Sequence, residues 1–386
     1  MINKKRLIKL TQKLIRIDSQ NPPGDEARIA GFVKNYLAKL GLKTKIYEFK
    51  KRRSNVVAVL PGINKKYSLL ITPHLDTVPY GKNWHFNPFL GKIYRGKIYG
   101  LGATDCKGNL ASALEVINSL VEDKIVLGCN LVFAATADEE SGSRFGLTSL
   151  LNKGILKPDL AAVLDSDEFG IIVAQKGLIH LKVKLQGKKA HGAYPWRGVN
   201  AIDIAIDIIK ELKTHKWKFR KNKYLKAPTL NIGTIKGGDK VNVVADWCEL
   251  ELDFRFLPGM SVKEILKDIK EIIKKHIKKF SRHSGIPKNT GKIEIEGIQK
   301  PYRINENHPL VNYLIKAMRK INVKPIVKGS EGATTITFFQ NKNIPAIATG
   351  FGAEGCAHTT DEYVKIDTIY KGARVLEEFL KTYKFN

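Results

Sequence analysis

The chain has 386 residues, 43% of them hydrophobic, with 66 Lys and Arg against 37 Asp and Glu, a formal charge of +29. That length is too great for one compact core and that composition excludes a disordered chain, so two globular domains are expected. The charge admits nucleic acid, an acidic membrane surface or an acidic substrate, yet the lysines are spread everywhere and no nucleic-acid-binding signature accompanies them.

The N-terminal segment is basic, and its apolar residues Ile2, Leu7, Leu10, Leu14 and Ile15 recur at helical spacing. It lacks the apolar core of a signal peptide, so the protein is expected to be cytoplasmic. Helices are predicted over 4–17 and 26–40, the second ending at Gly41. Strands follow over 44–49, 54–60 and 67–73, then a helix over 109–121 and strands over 130–135 and 160–164. This alternation predicts an α/β domain with helices on both faces of a sheet.

The texture changes near Gln175. Residues 178–185 alternate as a half-exposed strand, 200–212 form a helix, and 229–235 and 247–256 form strands. A helix over 261–280 and a strand over 293–295 complete a β-α-β-β-α-β order, the pattern of a ferredoxin-like domain. The α/β texture returns with helices over 308–320 and 334–341, a strand over 344–349 and a helix over 367–383. The second domain, 176–296, is therefore expected to be inserted in the first, 1–175 plus 297–386. The cysteines Cys106, Cys129, Cys248 and Cys356 are scattered, which argues against a disulfide scaffold or a cysteine-based zinc site.

Five clusters fall where strands are expected to end or turns to form. His74-Leu75-Asp76 follows the third strand, and Asp105 sits in the glycine-rich turn from Gly100 to Gly108. Glu139-Glu140 follows the strand over 130–135, Asp165 the strand over 160–164, and His358 the strand over 344–349. Open α/β sheets place their sites outside the carboxyl ends of their strands, so these residues are candidates for one shared site. Two histidines with several carboxylates suit Zn2+, and equally Mn2+ or Co2+. Two neighbouring ions need a bridging ligand, which a carboxylate can be. Such ions activate a water and polarise a scissile carbonyl, and a spare carboxylate must then move the proton. Taken alone, an HxD at a strand end is usually structural and a Glu-Glu pair is usually a solvated turn. Their joint order carries the argument.

That order resembles the M20 metallopeptidases, the group of acetylornithine deacetylase, succinyl-diaminopimelate desuccinylase, aminoacylases and carboxypeptidases. The likeness runs from Asp18-Ser19-Gln20-Asn21-Pro22-Pro23-Gly24 to His358-Thr359-Thr360-Asp361-Glu362-Tyr363-Val364. It includes Ala190-His191-Gly192-Ala193-Tyr194-Pro195 and Gly237-Gly238-Asp239-Lys240-Val241-Asn242 of the inserted domain. It implies a zinc-exopeptidase-like catalytic domain on a mixed sheet, with an inserted ferredoxin-like α+β domain that serves as lid and dimer interface.

The resemblance also implies roles. His74, a bridging Asp105 and Asp165 would hold one zinc, and Asp105, Glu140 and His358 the other, two Zn2+ per chain. Asp76 would orient His74 by a hydrogen bond, Glu139 would be the general base, and His191 would stabilise the oxyanion, in dimeric relatives that of the partner subunit's site. Arg255 and Asn242 would hold the substrate's carboxylate, and Gly332 belongs to a glycine-rich substrate loop. A cis peptide is implied between Asp105 and Cys106, and Cys106 is read as a small buried side chain.

His85, His180, His215, His276, His283 and His308 match no motif and are read as surface or core residues, and Asp138 and Asp167 as turn caps or solvated groups. The chain departs from the family in three places. Asp165 stands where many deacylases carry glutamate, which leans toward the peptidases. Thr335 replaces an aspartate, and Ala245 a proline. The expected function is cleavage of a small N-acyl-amino acid by a metal-bound hydroxide. The alternatives are a dipeptidase or carboxypeptidase, or a deacylase acting on an acidic carrier protein. The expected assembly is a homodimer, with no membrane and no nucleic acid as partner.

Overall fold

The computed structural model describes residues 1–281 and 291–385; His283 lies outside the described residues. The chain divides into two compact units. The first comprises Met1–Val173, Ile304–Gly329 and Thr334–Asn386, and the second Ala174–Arg303 with Ser330–Ala333.

The first unit opens with α1 (Lys4–Ile15), which buries Leu7, Leu10, Thr11 and Leu14, an i, i+3, i+4, i+7 stripe. The Asn3 side chain caps it, accepting from the Arg6 amide at 3.0 Å. Next comes α2 (Ala27–Lys39), followed by Gly41 in the left-handed region that lets the chain turn away. The strands β1 (Thr44–Glu48), β2 (Ser54–Leu60) and β3 (Asn64–Thr72) lead to a hairpin of β4 (Lys92–Tyr94) and β5 (Lys97–Tyr99). Then follow α3 (Gly108–Glu122), β6 (Cys129–Ala135), α4 (Leu147–Asn152), β7 (Leu160–Leu164) and β8 (Gly170–Gln175), on which the chain leaves the first unit.

The second unit holds β9 (Gly177–Gln186), α5 (Ala201–Thr214), β10 (Thr229–Gly237), β11 (Trp247–Phe256), α6 (Val262–Ser281), β12 (Gly291–Gln299) and the two-residue β13 (Tyr302–Arg303). Its sheet order is β10-β11-β9-β12, antiparallel throughout, the ferredoxin-like arrangement. One face alternates inward as Ile179, Leu181, Val183 and Leu185 of β9 with Leu250, Leu252 and Phe254 of β11, and packs on Ile204 and Ile208 of α5 and Ile269 and Ile273 of α6.

After the second unit come α7 (Pro309–Lys320), β14 (Ile326–Ser330), α8 (Ile336–Gln340), β15 (Ala346–Thr349), β16 (Tyr363–Lys365) and α9 (Ile366–Thr382). The large sheet is mixed and runs β1-β2-β6-β3-β7-β15-β8. Within it β6, β3, β7 and β15 are mutually parallel, so their carboxyl ends share one edge. Parallel strands are buried on both faces, which is why β7 and β15 carry only apolar residues and threonine.

Candidate active site

The edge shared by the four parallel strands collects the candidate residues. His74 and Asp76 follow β3, Glu139 and Glu140 follow β6, Asp165 follows β7, and His358 lies nine residues beyond β15. Asp105 comes from the turn that leads into α3, where the Asp105–Cys106 peptide is cis, as the resemblance implies.

Asp105 lies between the two histidines. Its Oδ1 is 2.7 Å from His74 Nε2 and its Oδ2 is 3.1 Å from His358 Nε2. His358 Nε2 also lies 3.2 Å from Glu140. Ligand atoms of Asp105, Glu140 and His358 all fall within 4.8 Å of one another, and so do those of His74, Glu139 and Asp165. His74 Nδ1 donates to the Asp76 carbonyl at 2.9 Å, which leaves Nε2 to face Asp105. Asp76 thus makes the hydrogen bond expected of it, through its backbone carbonyl. Its carboxylate stands 3.7 Å from His74 Nδ1 and instead accepts from the amides of Glu139 (3.0 Å) and Glu140 (3.1 Å) and from Asn21 Nδ2 (2.9 Å). The backbone carbonyl orients the histidine, while the carboxylate holds the Glu-Glu turn.

The electrostatics favour a cation. Among the described residues no Lys or Arg pairs with Asp105, Glu139, Glu140 or Asp165, in a chain that is otherwise strongly basic. Burial, then the charge of Asp105, pushes the Asp165 carboxyl up to about 7. Burial, then Asp165, raises Glu139 well above the usual carboxylate range. Hydrogen bonds to Asp105 and Glu140 push His358 up to about 11. Crowded carboxylates that hold protons against one another, with imidazoles at their edge, form an oxygen-and-nitrogen donor set that fits a divalent ion of the zinc type.

Cys106 is fully buried, and burial pushes its thiol up to about 12. It exchanges contacts with the His74 backbone, accepting from the amide at 3.2 Å, as a packed side chain does. Lys107, next along, is also fully buried, and its Nζ turns away to the Ile17 carbonyl at 2.8 Å.

Asp138 caps a turn as expected, its Oδ2 accepting from the Phe145 amide at 2.8 Å, but it is buried instead of solvated, and its Oδ1 pairs with Arg53 at 2.8 Å. Arg53 also pairs with the buried Glu26 at 2.8 Å. Sequence reasoning missed this network. It also missed Asn21 and Glu362, although both lie inside the quoted motifs. Their partners are backbone amides or come from distant segments, which spacing does not reveal.

The second unit holds the remaining candidates. His191 is exposed, and its Nδ1 accepts from the Ala193 amide at 3.1 Å, which leaves a proton for Nε2. Asn242 lies beside it, its carbonyl accepting from the Gly192 amide at 2.8 Å. Arg255 forks onto Asp253 at 2.8 and 2.9 Å through Nε and Nη2. Gly332 lies in a turn whose neighbour Glu331 pairs with the buried Lys176 at 2.6 Å. Of the histidines without a motif, His308 caps α7 and His276 pairs with Glu211 at 2.7 Å.

Residues 70–382 match the peptidase family M20/M25/M40. The chain belongs to this family. An uncharacterized metallohydrolase of Methanocaldococcus jannaschii is 31% identical, with 97% of this chain and 98% of that protein covered. An acetylornithine deacetylase of Buchnera aphidicola is 30% identical over 86% of this chain and 84% of its own. The crystal structure of a tripeptidase from Staphylococcus aureus superposes with a TM-score of 0.82 at 27% identity, covering 99% of this chain and 98% of the other. As a member of the M20 group the chain is a metal-dependent hydrolase. Among the described residues of this M20 protein no helix is long and apolar enough to cross a membrane.

Proposed function

We propose that the protein is a two-metal amidohydrolase that cleaves the amide bond of a small N-acyl-amino acid bearing a free carboxylate. The observation that carries this reading is the Asp105 carboxylate, with one oxygen toward His74 and the other toward His358. His74, Asp105 and Asp165 would hold one ion, and Asp105, Glu140 and His358 the other. Zn2+ is the ion assigned, with Co2+ or Mn2+ acceptable to the same donors. When bound, the ions acidify a water and polarise the scissile carbonyl.

The chain's own groups do the rest. Glu139, with its raised proton affinity, takes a proton from the water and returns it to the leaving amine. Asp76 holds Glu139 and Glu140 in register through their amides. His191 offers Nε2–H to the oxyanion, a role its Nδ1 contact favours. The Arg255 pair with Asp253 uses Nε and Nη2, so its Nη1 edge remains for a carboxylate, and Asn242, which follows β10 at the opposite end of the same sheet, would join that carboxylate only from a second copy of the chain. Gly332 belongs to the substrate loop in this reading. The second unit serves as lid and homodimer interface, and the exposed Ile235 on the edge strand β10 supports the latter.

A second reading, a peptidase for short peptides, is favoured by Asp165 and by the likeness to the tripeptidase. The two readings share the chemistry and differ in the acyl pocket. The test is metal content together with hydrolysis of N-acetyl-ornithine, N-succinyl-diaminopimelate, N-acetyl-methionine and several dipeptides. Wild type should carry about two ions per chain. Glu139→Ala should keep them and lose about 10²- to 10⁴-fold in kcat. The best substrate then chooses between deacylase and peptidase. A protein that takes up no metal after reconstitution with zinc or cobalt would sink both readings.

A further inference from the structure

The segment that bears His358 continues through Asp361 and Glu362, and the two-metal reading uses only its first residue. Glu362 is 2% exposed. Its Oε1 accepts from the amides of Thr104 (2.8 Å) and Asp105 (2.9 Å), and its Oε2 from the amide of Gly102 (2.8 Å). Main-chain contacts reinforce the clamp. The Gly100 amide donates to the Glu362 carbonyl at 2.9 Å, Thr104 Oγ1 donates to the Tyr363 carbonyl at 2.6 Å, and β16 pairs with β5.

These amides need such a partner. Asp105 (φ −121°, ψ 91°) and Cys106 (φ −132°, ψ 34°) are not helical, so the turn cannot satisfy its own N–H groups by helical bonds. Gly102 sits at φ +75°, and a Cβ there would come within 2.5 Å of Thr77, so the chain has no alternative side chain with which to fill the turn. A carboxylate buried this deeply is costly unless fully hydrogen-bonded, and here three backbone donors converge on it. One of the three is the amide of the residue whose carboxylate faces both histidines.

We propose that Glu362 is the positioning residue that fixes the Asp105 peptide and so aims the bridging carboxylate, tying it to the segment that bears His358. This rests on the two-metal reading of the same site. Glu362 touches neither reacting atom nor ligand atom of that site. It acts through Asp105.

The test compares Glu362→Gln with Glu115→Gln, another fully buried carboxylate, which binds Arg6 and the Asn3 amide away from this turn. Glutamine keeps the shape of Glu362 but turns an amide NH2 toward a backbone N–H. In metal-free protein, Glu362→Gln should speed hydrogen exchange of the 102–105 amides about tenfold or more. Its affinity for Zn2+ alone, read by chelator competition, should fall about 10- to 100-fold. With zinc saturating, kcat should fall while KM changes little. Glu362→Asp, which keeps the charge but withdraws the oxygens by one methylene, should move all three readouts in the same direction. Glu115→Gln should lower the melting temperature and leave them unchanged. Unchanged exchange in Glu362→Gln overturns the positioning role, as does an equal response in Glu115→Gln. A wild-type protein that takes up no zinc overturns the two-metal reading instead.

Discussion

At the scale of single residues, Asp76 divides its work between its two oxygen-bearing groups. The carbonyl sets the ring of His74, and the carboxylate sets the turn that bears Glu139 and Glu140. Asp76→Asn keeps the carbonyl and replaces one acceptor oxygen by a donor. It should lower kcat about 10- to 100-fold while metal content stays unchanged, checked by kinetics beside metal analysis. Proton linkage gives a second prediction. In the metal-free site Asp165 holds a proton to about 7 and His358 to about 11. In the proposed two-metal reading both would have to lose it to bind an ion, so metal uptake should release protons and metal affinity should rise with pH. Chelator competition between pH 5.5 and 8 should show that rise, and a flat or falling affinity would contradict the assignment of these two residues as ligands.

At the scale of elements, α9 packs against α3 and α7 and also meets Phe351 in the turn that follows β15. Gly372 makes this possible, because a Cβ there would sit 2.1 Å from the ring of Phe351. Phe351 is 1% exposed and has nowhere to swing. Alanine would gain about 1 kcal/mol of helix propensity. The overlap costs about 1–3 kcal/mol and should win, so Gly372→Ala should lower the melting temperature. Much of this level was legible in the sequence. The strands over 160–164 and 247–256 stand where the alternation and apolar runs put them, and the helix expected over 200–212 is α5, with Asn200 as its cap. The β4–β5 hairpin was not legible, because Arg95 and Gly96 make its turn in place of the usual Asn-Gly, both at positive φ. Nor was β8, a short buried run separated from β9 by Lys176 alone. The candidate ligands were readable because polar residues at strand ends stand out against apolar runs. Glu362, Arg53 and Asn21 were not, because what they bind is main chain or lies far along the sequence.

At the scale of the whole molecule, an acidic cluster sits in a chain of net charge +29. In the function proposed above, the surrounding positive field would draw in a carboxylate-bearing substrate, while the cluster itself is suited to cations. Raising NaCl from about 0.02 to about 0.5 M shortens the Debye length from ~20 Å to ~4 Å, so KM for carboxylate-bearing substrates should rise severalfold with kcat little altered. A KM indifferent to salt would place recognition in short-range contacts such as Arg255.

The position of β15 has a consequence for synthesis. It is hydrogen-bonded between β7 and β8, both made before the second unit, yet it is made after it. As the nascent chain emerges, β7 and β8 must wait with the slot between them unfilled while residues 176–345 leave the ribosome. At about 5–20 residues per second that wait is roughly 10–30 s, with apolar strand edges uncovered. Chains arrested anywhere before residue 346 should therefore be protease-sensitive throughout the first unit and be bound by chaperones that hold apolar segments. The sheet closes only once residue 349 is clear of the exit tunnel.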